Sequence, residues 1–273
     1  MPSNPDIFLF TALPCEAKPL IDFYKLKKDN TVQAFNIFCN DEIFLTITGI
    51  GKTAMAAGVA YSQALMPKTN NPPMLNIGIA GHKNHPIGTL FLIDKITDSD
   101  TGRRFYPPLV FSPPCPTHSL QTVSRPQQEY PEPELCDMEA SAFYETATRF
   151  STGELIHCLK IISDNNFSPT ENINPQQVSL MIAEQAGNIN KIVEILTKLT
   201  VNIVSTPEIK EFDDLLNRYR FTVSEQIQLK KLLARWQLVT GQQDLLFPAE
   251  TAKTGKDFIQ LLSQSINEAK FYL

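Results

Sequence analysis

The stretch from Leu155 to Ile162 reads Leu-Ile-His-Cys-Leu-Lys-Ile-Ile, a nearly continuous apolar run. Successive strand residues point to opposite faces, so a run apolar in both registers belongs in mid-sheet with helices covering each side. The chain supplies those helices. Up to about residue 200, short apolar runs alternate with helical patterns. This alternation predicts an α/β three-layer sandwich around a central sheet that is mostly parallel or mixed.

Asp6 to Phe10 is the first expected strand, followed by Thr11-Ala-Leu-Pro-Cys-Glu16 and a helical stretch ending near Tyr24. Phe35–Cys39 and Glu42–Thr48 read as paired strands turned at Asn40-Asp41. Alanine-rich Lys52–Leu65 predicts a helix. Met74–Ala80 and Thr89–Ile96 predict strands, with Gly81 and Gly88 bounding the loop between them. Residues 107–134 contain Pro107, Pro108, Pro113, Pro114, Pro116, Pro126, Pro131 and Pro133. Each proline removes a backbone donor and crowds the preceding turn, so an irregular loop or flap is expected. Glu139–Phe150 predicts a helix. Asn174 caps another, with Pro175 at its first position and an apolar stripe from Val178 to Leu196.

Beyond Thr206 the pattern is helical only. Thr222-Val-Ser-Glu225 has capping-box spacing, and Leu229, Leu232, Leu233 and Trp236 share one helical face. Residues from Gly255 to Tyr272 predict a last helix. The reading divides the chain into an α/β domain over 1–200 and a helical C-terminal extension over 201–273, without internal repeats.

The net charge of −5 supplies no general attraction to nucleic acid or to a membrane surface. Arg218, Arg220, Lys230, Lys231 and Arg235 are interleaved with Asp213, Asp214 and Glu225, which reads as a solvated helix face. The five cysteines, Cys15, Cys39, Cys115, Cys136 and Cys158, are scattered without a C-x-x-C pair, as free thiols in a reducing compartment would be. The first residues lack a basic start followed by an apolar run, and no stretch approaches the ~20 apolar residues of a membrane span. A cytoplasmic protein is expected.

Chemistry in an α/β sheet gathers at the carboxyl ends of strands. Glu16 follows the first strand, Glu139 starts a helix after Leu135-Cys-Asp-Met138, and Asp164 ends the apolar run. Taken singly, each has an ordinary explanation as a helix-start charge or a turn cap. Their surroundings say more. Thr11-Ala-Leu-Pro-Cys-Glu16, Thr48-Gly-Ile-Gly-Lys52, Asn76-Ile-Gly-Ile-Ala-Gly81, Asp137-Met-Glu-Ala140 and Ile162-Ser-Asp164 occur in this order. Together they resemble the nucleoside phosphorylase and nucleosidase family, especially its methylthioadenosine/S-adenosylhomocysteine nucleosidase branch, across about residues 6–197.

That resemblance implies roles. Glu16 would hold the attacking water and Asp164 would protonate the purine leaving group, with Ser163 beside it. Glu139 would bind the ribose hydroxyls and Met138 would pack on the sugar. Ile50 would form an apolar wall, while Ala80 and Gly81 would approach the ribose and the nucleophile. Breaking a ribosyl C–N bond builds positive charge on the sugar and negative charge on the base, which is why carboxyl groups suit these places. The implied ligand is a small nucleoside, with no cofactor and no metal; a homodimer is expected from the relatives.

Phosphorylases of the family hold phosphate with arginines and a serine. Ile79 occupies that serine position and Asn76 stands in place of an arginine, so water is the expected nucleophile. Phosphate stays open through Arg103, Arg104 or Arg125. The segment Ser124-Arg-Pro-Gln-Gln-Glu-Tyr130 is shorter than the purine-stacking segment of the nucleosidases and resembles hopanoid-associated and futalosine-type relatives. Tyr130 and Phe167 are the aromatic candidates for a base. Gly49-Ile-Gly-Lys-Thr53 lacks the first glycine of a phosphate loop, because Thr46 stands there. His82 and His85 form a pair without a third ligand at metal-binding spacing, and His118 and His157 carry no assignment.

Overall fold

The structure, a computed structural model, describes residues 5–66, 71–126, 133–169, 174–202, 210–240 and 252–268. The chain divides into two compact units, Met1–Ile203 and Val204–Leu273.

The first unit is built on one mixed sheet. Its strands are β1 (Ile7–Thr11), β2 (Lys27–Lys28), β3 (Asn36–Cys39), β4 (Ile43–Ile47), β5 (Met74–Gly81), β6 (Leu90–Asp98), β7 (Arg104–Phe105), β8 (Thr117–Thr122), β9 (Leu135–Asp137) and β10 (Ile156–Asp164). The helices are α1 (Pro14–Tyr24), α2 (Lys52–Leu65), α3 (Ala140–Ala147) and α4 (Pro175–Asn202). β1 runs parallel to β4 and β5, and β5 runs parallel to β10. β3 joins β4 as the expected antiparallel hairpin across Asn40-Asp41.

The alternation of side chains along β1 explains the layers. Phe8 and Phe10 enter one core with Phe44, Met55, Val59 and Phe143, beneath α2 and α3. Ile7 and Leu9 enter the other with Ala17, Leu20, Leu45 and Ile182, beneath α1 and α4. β10 is buried along its whole length, as its two-faced apolar run demands. Asn174 accepts a hydrogen bond from the Gln177 amide at 2.9 Å, capping α4 as its spacing predicts.

Two features depart from the sequence reading. The proline-rich stretch is not wholly irregular: β8 lies inside it, because residues 117–125 form a window between Pro116 and Pro126. β8 pairs parallel with both β6 and β9. In addition, β10 pairs with β6 as well as β5, while β5 meets β9 at Gly81–Cys136. Five strands therefore close into a ring (β5, β10, β6, β8, β9), and β1, β4, β3 and β2 extend from it as open sheet.

The second unit consists of α5 (Lys210–Arg218), α6 (Val223–Thr240) and α7 (Gly255–Glu268). Leu215, Tyr219, Leu229, Leu233, Phe258, Leu262 and Ile266 form its core. The capping box is made: the Thr222 amide donates to Glu225 Oε2 at 2.8 Å, and the Glu225 amide to Thr222 Oγ1 at 3.3 Å. No helix among the described residues is long and apolar enough to cross a membrane.

Candidate active site

The carboxyl ends of β1, β5 and β10 surround a hollow of about 770 Å³, part of it open to solvent. Glu16, Ile50, Ala80, Gly81, Met138, Glu139, Ser163 and Asp164 all line it, joined by Leu13, Ile79, Val123, Cys136 and Asp137. The eight residues to which the resemblance gives roles thus meet at one place. Tyr130 lies outside the described residues, and Phe167 stands on the exposed turn after Asp164.

Glu16 is the third residue of α1 and its side chain turns back over the helix start. Its Oε2 accepts the Ala12 and Leu13 amides at 2.9 and 2.8 Å, and its Oε1 accepts the Ile79 amide at 3.0 Å. A carboxylate offers about four lone-pair sites, so these three donors leave one acceptor position, on Oε1. Burial pushes Glu16 above the ordinary carboxylic-acid value, while the amides and the Lys160 ammonium pull the other way. Gly78 makes this arrangement possible: a Cβ there would lie 3.0 Å from Glu16 Oε1 and 3.4 Å from Lys160 Nζ.

Glu139 sits at the start of α3. Its Oε1 accepts the Gly51 amide at 2.8 Å. Gly51 has φ +95°, a conformation that side chains disfavour, and it presents this N–H from the loop carrying half-exposed Ile50. Burial, followed by the charge of Asp137, raises Glu139 to about 7. Asp164 ends β10 at a register break, where the Ser163 hydroxyl lies 2.5 Å from its Oδ1.

Sequence reasoning missed a buried pair beside the hollow, Lys160 and Asp137. Lys160 Nζ and Asp137 Oδ2 form an ion pair at 2.8 Å, with side chains 1% and 0% exposed. Asp137 also accepts the Thr122 hydroxyl at 2.7 Å and the Ala140 amide at 2.8 Å. Burial opposes the Lys160 charge, but Asp137 and Glu139 outweigh it and hold the ammonium above the ordinary lysine value. The signal was present as a lysine inside an otherwise apolar strand, since a buried lysine needs a partner.

Lys52 of the incomplete phosphate loop is committed elsewhere, pairing with Asp98 at 2.9 Å and Asp100 at 2.6 Å. Among the described residues no arginine lines the hollow, and Arg103 pairs with Glu145. Cys136 lines it, but burial and Asp137 push its thiol up to about 12, which keeps it protonated and non-nucleophilic.

No family model and no curated protein matches the sequence. Solved structures do. Arabidopsis thaliana 5′-methylthioadenosine nucleosidase superposes with TM-score 0.58 at 16% identity, over 70% of this chain and 96% of that one. The chain has the nucleosidase fold. A Helicobacter pylori MTAN mutant with 5′-methylthioadenosine in its active site gives TM-score 0.57 at 12% identity, over 70% and 98% of the two chains. A futalosine hydrolase mutant of the same species gives 0.51 at 13% identity, over 70% and 99%. On this nucleosidase fold, the hollow lies at the strand ends where α/β proteins hold ligands.

Proposed function

We propose that the chain hydrolyses the N-glycosidic bond of a purine-type or modified nucleoside, releasing the base and a ribose derivative. The observation carrying this reading is that Glu16, Glu139 and Asp164, from separate strand ends, line one hollow. Supporting the choice of water over phosphate, the described lining contains no arginine or lysine to hold a dianion.

In the reading, Glu139 hydrogen-bonds the ribose hydroxyls while Met138 and Ile50 pack on the sugar. Ala80 and Gly81 let the backbone approach it. The remaining acceptor site of Glu16 Oε1 orients water toward C1′. As the C1′–N bond breaks, Asp164, supported by Ser163, donates a proton to the base nitrogen. Water forms the new C1′–O bond and gives its proton to Glu16. Lys160 and Asp137 act as positioning residues behind this set. Holding the sugar and the water in this geometry can supply several kcal/mol of the barrier. Cytoplasmic location, a homodimer, and the 1–200 and 201–273 division belong to the same proposal.

Purified full-length chain incubated with a panel of nucleosides, with and without phosphate, tests it. Phosphate-independent release of base with free ribose derivative is the expected outcome. Release that requires phosphate would establish a phosphorylase, and tight binding without release would establish a non-catalytic nucleoside-binding member.

A further inference from the structure

The objection to His82 and His85 as metal ligands was the missing third residue, and the fold supplies it. His118, the second residue of β8, meets the pair, and the three side chains each present a ring nitrogen within 4.8 Å of the others. The ring centroids lie 4.0 Å apart for His82–His85, 4.9 Å for His85–His118 and 5.3 Å for His82–His118. Phe91 backs the cluster at 4.7 Å from His85 and 5.2 Å from His118.

Two of the imidazoles donate one ring N–H to a backbone carbonyl, as metal-binding histidines usually do, which puts the lone pair on the other nitrogen. His118 Nδ1 donates to the Ser119 carbonyl at 2.9 Å, so Nε2 carries the lone pair. His82 Nε2 donates to the Pro133 carbonyl at 3.1 Å, and Nδ1 carries the lone pair. That Nδ1 accepts the Asn84 and His85 amides at 3.1 and 3.0 Å. An ion would displace those amides, and the one at exposed Asn84 can turn to water. Among the described residues no hydrogen bond holds the His85 ring.

We propose that His82, His85 and His118 form a site for a borderline divalent transition ion of the zinc class, with water completing a tetrahedron. Zinc–imidazole bonds of about 2.0–2.1 Å require the nitrogens to close to roughly 3.4 Å apart, an inward shift of half-buried His85 and His118 toward buried His82. Imidazole donors select such ions over calcium and magnesium. The site lies behind the Asp164 loop: the His82 amide donates to the Asp164 carbonyl at 3.0 Å, and Asn165 Nδ2 to the His85 carbonyl at 2.9 Å. Ion binding would therefore stiffen that loop.

The test is a cobalt(II) titration of the untagged full chain, followed by its visible d–d absorption, with zinc competition. One ion per chain in tetrahedral geometry is expected, unaffected by excess magnesium. His85→Ala and His118→Ala should each weaken binding by about tenfold or more, while their metal-free melting stays at the wild-type value. Bound ion should also slow amide exchange at Asn165 and Phe167. Absence of the tetrahedral band, or wild-type affinity in either variant, overturns the site. Unchanged exchange with the ion bound overturns its coupling to the Asp164 loop. Neither outcome depends on nucleoside hydrolysis.

Discussion

Replacing Lys160 by methionine isolates what the buried ion pair contributes. The change removes a cation 2.8 Å from Asp137 Oδ2 and leaves that carboxylate in a place with 0% side-chain exposure. Breaking one side of a fully buried pair costs roughly 3–5 kcal/mol, because the remaining charge keeps its desolvation penalty. For a unit of this size ~1 kcal/mol moves the melting temperature by ~2–4 °C, so Lys160→Met should melt about 6–20 °C lower. Adding Asp137→Asn removes the stranded charge and should restore part of the loss. The active site should respond as well. Lys160 lowers the proton affinity of both Glu16 and Glu139, so its loss raises both, and the acidic limb of the pH–activity profile should move to higher pH. Thermal melts of the single and double variants, with pH profiles of turnover, measure both effects. A single variant that melts within a degree or two of wild type, with its acidic limb in place, would refute the reasoning.

Asp164→Asn keeps the shape of the side chain but removes the transferable proton, and turnover should fall by about 10²–10⁴ with little change in melting; full activity would remove Asp164 from the acid role. Glu139 binds its proton more tightly folded, at about 7, than its ordinary value of 4.5. The folded state therefore holds more protons between those values, so this group's contribution makes stability fall as pH rises through the window. Urea denaturation across that range should show a negative slope that Glu139→Gln flattens. Gly78→Ala would place Cβ 3.0 Å from Glu16 Oε1 and drive the carboxylate off the Ile79 amide. Stability should drop by about 1–3 kcal/mol and turnover with it, as melts and steady-state rates will register; wild-type turnover would mean that Glu16 has slack.

Much of this protein was written in local pattern. Apolar runs of strand length and the 3.6-residue periodicity determine the elements, since each residue's face follows from its neighbours in sequence. Position at strand ends made Glu16, Glu139 and Asp164 candidates, but singly each reads as a helix-start charge or turn cap, and it was the family resemblance of their flanking motifs that set them apart. Tertiary structure decided what joins residues distant in the chain. The pairing of Lys160 with Asp137, the arrival of His118 beside His82 and His85, and the closure of five strands into a ring leave no periodic trace. Each arises from spatial juxtaposition and burial, which turn a lone polar residue into a partner only when the sheet brings another within a few ångströms.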